Sequence, residues 1–280
     1  MTPGHSPERK LLSQDLLRTV LGWLVAVGMA FPVFWMALAA FKTEQDAAAI
    51  PPKLFFEPTL SNFVEMSERI DYFHHAWNSV VVSASSTFIA ILLAAPAAYV
   101  MAFHASRMTR SLMLWMLSIR FMPAVGALIP IYLILVSLDL IDTRLALTVI
   151  TCLSNLPLIV WMLYSYFKDV PPEILEAARM DGARPMRQLW YLLLPLTAPG
   201  IASTGLLGMI LAWNEAFWCI NITATNAGTL ALAVASFANS EGQFWAKLSA
   251  ASLASVAPIL IFGWMSQRQL VRGLTFGAVK

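Results

Sequence analysis

Residues 168–195 read KDVPPEILEAARMDGARPMRQLWYLLLP, and this charged stretch separates two long apolar blocks. Pro171 and Pro172 suit the first turn of a helix, where a missing backbone N–H breaks no hydrogen bond, and Asp169 is predicted to be the N-cap. Gly182 can adopt the left-handed conformation that ends a helix. The stretch therefore predicts a short helix with defined ends, followed by a second short helix that begins at about residue 185.

The surface of the first predicted helix combines small and charged side chains. Ala177 and Ala178 would let the backbone of another protein approach closely, and the charges of Glu176, Arg179 and Asp181 would fix its register. This combination suits a helix that docks into a partner protein, and it also suits a solvated amphipathic loop. The residues by themselves leave both interpretations open.

Apolar blocks make up most of the remaining chain. Hydrophobic residues account for 59% of the sequence and charged residues for 12%, which is about half of the roughly 25% typical of soluble domains. A helix needs about 20 apolar residues to cross a membrane, and the apolar residues run continuously instead of alternating as in barrel strands. We therefore predict an all-α integral membrane protein with six transmembrane helices, at 16–41, 76–103, 112–138, 145–167, 196–222 and 248–265.

The distribution of Lys and Arg predicts the orientation of these helices. Of the 18 basic residues, twelve fall in segments on the side of the N-terminus, five fall on the other side, and Arg120 lies within the third block. Because basic residues accumulate on the cytoplasmic side, both termini are predicted to be cytoplasmic. Residues 1–15 then form a cytoplasmic N-terminal segment, 16–280 a single transmembrane domain, and 266–280 a cytoplasmic tail.

Several function classes find no support in the sequence. The net charge is only +2 and the basic residues form no patch, which argues against nucleic acid binding. Cys152 and Cys219 lie in apolar blocks and the four histidines have no ligand spacing, so no metal site is expected. No glycine is followed by lysine, as a phosphate-binding loop requires. We expect no catalytic residue and no cofactor on this chain.

One motif resembles a known family. The string Glu176-Ala177-Ala178-x-x-Asp181-Gly182-Ala183, followed by Leu194-Pro195 and Pro199-Gly200-Ile201, resembles the EAA loop of ABC-importer permeases, here at 168–195. The similarity includes the spacing from Gly182 to Pro195 and the predicted cytoplasmic side. Stretches at 41–63, 77–79, 213–217 and 269–280 resemble the carbohydrate branch, which contains the smaller maltose-importer membrane subunit. Residues 214–218, 244–251 and the tail are most similar to permeases for sugar alcohols such as mannitol and sorbitol.

This resemblance implies a fold, a set of partners and a coupling element. It implies a type I importer permease in a bacterial inner membrane, surrounded by lipid and paired with a second homologous permease. Two cytoplasmic ATPase subunits would hold ATP and Mg, and an extracytoplasmic binding protein would deliver the solute. The residues that would contact the ATPase are Glu176, Ala177, Ala178, Asp181, Gly182, Arg187 and Pro195 in the loop, with Gly273, Thr275 and Gly277 in the tail.

Polar residues within the predicted spans are candidates for the solute path. An ionisable group in a span costs about 2.5–3.5 kcal/mol on insertion scales, so such groups are functional candidates by default. Asparagine amides and tryptophan faces suit the hydroxyls and rings of a sugar, although both residue types also serve in helix packing and at membrane boundaries. The candidates are Arg120, Asn155, Asn214, Glu215 and Trp218.

Other kinds of membrane protein remain as alternatives. An ion-coupled secondary transporter would need ion relays in its spans, and only Arg120 and Glu215 are available. A channel would need a filter sequence, and a membrane enzyme would need a catalytic constellation; neither is apparent. Within the importers, a disaccharide or a modified sugar is an alternative solute.

Overall fold

All regular secondary structure in the part of the chain that the structure describes is helical, and no strand occurs there. The computed structural model describes the backbone of residues 7–238 and 244–275, and the side chains of residues 16–238 and 244–264. One segment, Leu189–Leu193, is a π-helix. The α-helices are α1 (Pro7–Ala40), α2 (Glu44–Ala47), α3 (Ser61–Arg69), α4 (Tyr72–Phe103), α5 (Arg107–Phe121), α6 (Val125–Ser137), α7 (Arg144–Lys168), α8 (Pro172–Met180), α9 (Pro185–Gln188), α10 (Leu194–Leu196), α11 (Ala198–Trp213), α12 (Phe217–Ile222), α13 (Leu230–Ala235) and α14 (Trp245–Thr275).

Four of these helices and two bent helix pairs account for up to six membrane spans. Four helices are long and apolar enough to cross a membrane: Leu16–Ala40, Tyr72–Phe103, Arg144–Lys168 and Trp245–Trp264. Two bent helix pairs, Arg107–Phe121 with Val125–Ser137 and Pro185–Leu196 with Ala198–Trp213, bring the number to six when each pair counts as one span. The predicted all-α membrane fold is confirmed.

The third predicted span is broken in the middle. Instead of one helix over 112–138, α5 and α6 meet at an angle of 89°. Met122 at the break has an extended backbone, with φ −69° and ψ 130°. The residue before a proline is excluded from the helical region by the proline ring, and Pro123 follows Met122 directly. Pro123 therefore ends α5, so the prediction of one continuous helix over 112–138 was wrong.

The fifth predicted span, 196–222, is also divided. Its main helix, α11, begins at Ala198 after an 83° bend from the preceding helical segment Pro185–Leu196, and it ends at Trp213. Asn214 competes with the helix backbone there, because its Nδ2 donates to the carbonyl of Ile210 at 2.8 Å. Residues 217–222 then form the separate helix α12.

The contacts within the described chain fall into two compact units. The first comprises residues up to 69 together with 237–254. In it, Lys42 is buried, donates to the carbonyl of Lys53 at 2.6 Å and lies over the ring of Trp35. The Glu44 carboxylate accepts from the backbone N–H groups of Ala246 and Lys247, each at 3.0 Å, and so caps the first turn of α14. The prediction of one domain over 16–280 stays a prediction.

The second unit, residues 70–236 with those from 255 onwards, contains the helices that position the candidate site. Its core lies where α4 packs against α7 and α11. Small buried residues on α4, among them Ala94, Ala95 and Ala98, let large side chains of α7 such as Leu163 and Phe167 approach closely. Membrane helices pack through such small residues because apolar burial gives them little driving force in lipid.

The predicted C-terminal tail is described only in part. The backbone of α14 continues to Thr275, so Gly273 and Thr275 lie in its last turns. Gly277 lies outside the described residues, as do residues 1–6 of the predicted N-terminal segment.

Candidate functional site

Helix α8 occupies the loop between the fourth and fifth spans, as predicted, but it begins later than predicted. Its N-cap is Pro171, with φ −56° and ψ 128°, and its first helical residue is Pro172. Because Pro172 keeps Pro171 out of the helical region, no helix can start before it. Asp169 is instead the C-cap of α7, so its prediction as the N-cap of α8 was wrong.

The C-terminus of α8 closes as predicted, through a left-handed glycine. Gly182 has φ +79°. Its N–H donates to the carbonyl of Arg179, and the N–H of Ala183 donates to the carbonyl of Ala178, both at 2.9 Å. This pair of bonds is the common way for a glycine to satisfy the last carbonyls of a helix. The end of α8 is therefore fixed in position and direction.

Helix α8 is held to the bundle on one side and open on the other. Leu175 is 1% exposed and packs in the cluster that contains Phe167, Leu189 and Leu193. Ala178 is partly exposed. The other predicted ATPase-contact residues of the loop are exposed, namely Glu176, Ala177, Asp181, Gly182, Arg187 and Pro195. The helix thus exposes small and acidic side chains to a partner, while Leu175 on its opposite side packs against the bundle.

Gln188, which the sequence analysis did not single out, connects this loop to α4. It is 1% exposed, and its Nε2 donates to the carbonyl of Ala183 at 2.7 Å. Its Oε1 accepts from the hydroxyl of Tyr99 at 3.0 Å. Arg179 on α8 also reaches α4, with its Nη2 at 3.4 Å from Nε2 of His104. A glutamine among charged and apolar neighbours carries no pattern that would reveal these contacts.

A mostly apolar cavity of about 230 Å³ lies beside α8. Its walls are the end of α7, the start of α8 with Ile174, and the start of α11. Gly200 in α11 borders it, and an added Cβ there would come within 2.5 Å of the Tyr166 ring. Tyr166 and α11 can therefore pack this closely only because residue 200 has no side chain.

The candidate solute-path residues fall into two groups. Arg120 is exposed and its Nη1 donates to the carbonyl of Ser154 at 3.1 Å, next to the buried Asn155 on α7. Asn214, Glu215 and Trp218 lie together at the break after α11. The side chains of Arg120 and Glu215 make no ion pair among the described residues.

The second group has local structural roles. The Glu215 carboxylate accepts from the backbone N–H of Trp218 at 3.1 Å, at the start of α12. Trp218 is buried in the cluster of Val82, Leu147 and Ile222, which favours a packing role over solute contact. Asn214 is exposed and Glu215 partly exposed, so these two remain open to solute.

An outer loop that carried no sequence motif proves to be highly ordered by hydrogen bonds. The Asp142 carboxylate accepts from four successive backbone N–H groups, those of residues 224–227, at 2.8–3.1 Å. From the other side, Nδ2 of the buried Asn78 donates to the carbonyls of Asn226 and Gly228 at 2.9 and 2.8 Å. Arg144 in turn donates to Oδ1 of Asn78 at 2.6 Å.

These contacts set the pKa of Asp142. Partial burial alone would raise the pKa, but the donated backbone hydrogen bonds outweigh it and hold the pKa below its ordinary value of 3.8. A carboxylate with a lowered pKa stabilises the fold fully above pH 3.8, and this stabilisation is lost as the pH falls through the folded-state pKa. The ionised Asp142 carboxylate therefore holds the loop at all physiological pH values.

Asp142→Asn is expected to lower the free energy of unfolding by about 2 kcal/mol at pH 7, since an amide offers one oxygen where the carboxylate offers two. The difference between variant and wild type should shrink below pH 3.8, because the wild-type carboxyl then becomes protonated and is uncharged, as the amide is at every pH. Thermal unfolding of the purified protein between pH 7 and pH 3 measures this. Asp139→Asn is the matched control. Asp139 and Asp142 both have a left-handed backbone, with φ 54° and 57°, but the Asp139 side chain has no hydrogen bond among those described. Equal loss in both variants would contradict the prediction.

Comparison with known proteins gives consistent results. Residues 90–274 match the family model described as "Binding-protein-dependent transport system inner membrane component". The chain is 32% identical over 268 residues, 96% of each chain, to the probable ABC transporter permease protein y4oR of Sinorhizobium fredii. It is 33% identical to the trehalose transport system permease protein SugB of Mycobacterium tuberculosis, over 93% of this chain and 96% of SugB.

A solved structure supports the same fold. A chain from a bacterial ABC transporter involved in the import of the acidic polysaccharide alginate superposes with a TM-score of 0.72. The alignment covers 95% of this chain and 99% of that chain at 20% sequence identity. At this identity the similarity concerns the fold.

Proposed function

Because this chain belongs to the family of binding-protein-dependent transport system inner membrane components, we propose that it moves a sugar or sugar alcohol inward as one permease subunit of an ABC importer. It is a multi-pass component of the inner membrane. Helix α8 is the observation that carries the mechanism, since it is fixed to the bundle by Leu175 and open towards the side predicted to be cytoplasmic. We call α8 the coupling helix from here on.

In the proposed mechanism, an ATPase subunit binds the coupling helix and moves it. Ala177 lets the ATPase surface approach the helix backbone, and the carboxylates of Glu176 and Asp181 meet basic groups on that surface. ATP and Mg would be held by the ATPase, so the chain itself needs no cofactor. The closed end at Gly182 resists unwinding when the helix is displaced. Arg187, Pro195 and the tail residues Gly273, Thr275 and Gly277 are proposed further contacts.

The remaining partners follow from the surface of the first span and from the family. Leu16–Ala40 is apolar, and residues 16–34 are exposed in this chain, with Trp23 at 70% and Met29 at 77%. Such a surface requires lipid or a second permease around it. We propose both, together with a binding protein that delivers the solute to the outer face.

The proposed solute class has two levels. SugB, which is 33% identical to this chain, is described as a trehalose permease, and it supports a carbohydrate. The finer proposal of a sugar alcohol rests on residues 214–218 and 244–251, which resemble mannitol and sorbitol permeases. A disaccharide is the alternative that the trehalose permease favours. Asn214 and Glu215 are proposed to contact the solute, with Arg120 and Asn155 further candidates.

Uptake into proteoliposomes that contain the assembled complex and its binding protein tests this function. We expect ATP-dependent uptake that persists in the presence of a proton ionophore, with mannitol or sorbitol preferred over trehalose by about tenfold. Uptake of trehalose alone would contradict the sugar-alcohol proposal and keep the carbohydrate one. Uptake driven by an ion gradient without ATP would overturn the importer mechanism.

Glu215→Gln should lower solute-stimulated ATP hydrolysis in this system by about tenfold, because a hydrogen bond to a charged group is lost. The amide oxygen can still accept from Trp218 N–H, so the start of α12 should be retained. Glu57→Gln, which changes an exposed carboxylate of the first outer loop, is the control. Undiminished stimulation in Glu215→Gln would remove Glu215 from the proposed solute path.

A further inference from the structure

Gln188 joins the end of the coupling helix to the core of the bundle. It accepts from the Tyr99 hydroxyl on α4 and donates to the Ala183 carbonyl, and both Gln188 and Tyr99 are almost fully buried. Ala183 is the residue whose N–H closes the end of the coupling helix. A continuous series of hydrogen bonds therefore runs from the coupling helix through Ala183 and Gln188 to α4.

These bonds do what apolar packing cannot. Leu175 holds the coupling helix against the bundle, but apolar contacts tolerate sliding, whereas hydrogen bonds fix both distance and direction. Away from water such bonds are strengthened, and leaving one of their groups unpaired is costly. Displacement of the Ala183 end relative to α4 would therefore break at least one of these two hydrogen bonds, of which the one between Tyr99 and Gln188 is buried.

Helix α4 extends from this contact to the outer face. Its 32 residues span about 48 Å at 1.5 Å per residue. Near its outer end, Asn78 holds the carbonyls of Asn226 and Gly228, and the Ser79 hydroxyl accepts from Leu230 N–H at 2.9 Å. One helix thus has hydrogen-bonded anchors to the coupling loop on the inner side and to the ordered loop on the outer side.

We infer that Gln188 is a positioning residue that makes the coupling helix and α4 move as one body when the ATPase moves the coupling helix. The inference rests on the proposed function, because it takes the ATPase as the source of movement. It assigns to a residue outside the EAA string the task of conveying the displacement into the bundle.

Distance measurements between two spin labels in the complete permease–ATPase assembly test the inference without any solute. Met180, at the end of the coupling helix, and Val100, on α4, are both exposed and can carry the labels once Cys152 and Cys219 are replaced by alanine. With the native Gln188, the label distance should have the same mean and width without nucleotide and after trapping with ATP and vanadate. In Gln188→Leu, the mean should shift on trapping by at least about 2 Å.

Tyr99→Phe keeps the ring and removes a single hydroxyl, so it tests the same contact with little risk to folding. It should shift the label distance in the same direction. The double variant should shift the distance no further than Gln188→Leu alone, because both changes break the same series of bonds. Thr204→Val is the control, since the buried Thr204 hydroxyl donates to Gly200 within its own helix.

Each outcome is decisive. An intact assembly in which Gln188→Leu and Tyr99→Phe keep the wild-type distance would overturn the inference, as would a wild-type distance that itself shifts on trapping. A shift of equal size in Thr204→Val would contradict the inference, because it would mean that any loss of stability loosens the contact between the coupling helix and α4. A chain that purifies without any ATPase subunit would overturn the proposed function, and the inference with it.

Discussion

Gly182→Val is expected to reduce ATP-dependent solute uptake at least tenfold while the chain still inserts into the membrane. An L-residue in the left-handed region costs roughly 1–2 kcal/mol, and a β-branched side chain raises that cost. At φ +79° valine would force the chain out of this region and break the two bonds that close the coupling helix. A Cβ at this position would meet no atom within 4 Å, so the effect comes from the backbone alone.

Two further variants separate this explanation from a general intolerance of glycine replacement. Gly182→Asn should retain most of the uptake, because asparagine enters the left-handed region more readily than valine. Gly22→Val places the same side chain at a helical glycine of α1 that also has open space around it, and it should behave as wild type. If Gly182→Asn were as impaired as Gly182→Val, backbone conformation would not be the cause.

Gly200→Val is expected to lower the free energy of unfolding by about 3 kcal/mol, the upper end for overpacking a tight site. Even the Cβ alone would lie 2.5–2.8 Å from three ring atoms of Tyr166, closer than nonbonded carbon atoms approach. The ring cannot move away without opening the contact between α7 and α11. The yield of folded, detergent-purified protein and its midpoint of thermal unfolding measure the effect.

Removing the Tyr166 ring should restore part of the lost stability. The smaller Gly200→Ala change, combined with Tyr166→Ala, should be more stable than Gly200→Ala alone, because the ring that causes the clash is gone. Gly126→Ala is the control, as its Cβ would meet a Met122 side-chain atom at an ordinary 3.5 Å. An additive loss in the double variant would show that the clash with Tyr166 is not the origin of the instability.

Local patterns in the sequence predicted the features that depend on neighbouring residues. Continuous apolar runs predicted the helices, and a proline pair with a glycine ten residues beyond its second member predicted a short helix that ends in a left-handed residue. The start of that helix was placed too early because Asp169 was treated as a cap without regard to the constraint that Pro172 imposes on Pro171.

Features that join distant parts of the chain could not be predicted in the same way. Asp142 lies 82 residues before Ala224, and Gln188 lies 89 residues after Tyr99, so no spacing rule connects them. The 89° angle between α5 and α6 likewise needs the packing of other helices, since Pro123 ends a helix without setting the direction of the next. The roles of the predicted ATPase-contact and solute-path residues stay predictions.

The cap that Glu44 provides for α14 has a consequence for biosynthesis. The carboxylate lies 202 residues before the Ala246 N–H that it binds. At roughly 5–20 residues per second, a ribosome needs about 10–40 s to produce the intervening chain. During that interval water must occupy the Glu44 carboxylate, so a polypeptide that terminates before residue 246 leaves the segment after α1 without this contact to α14.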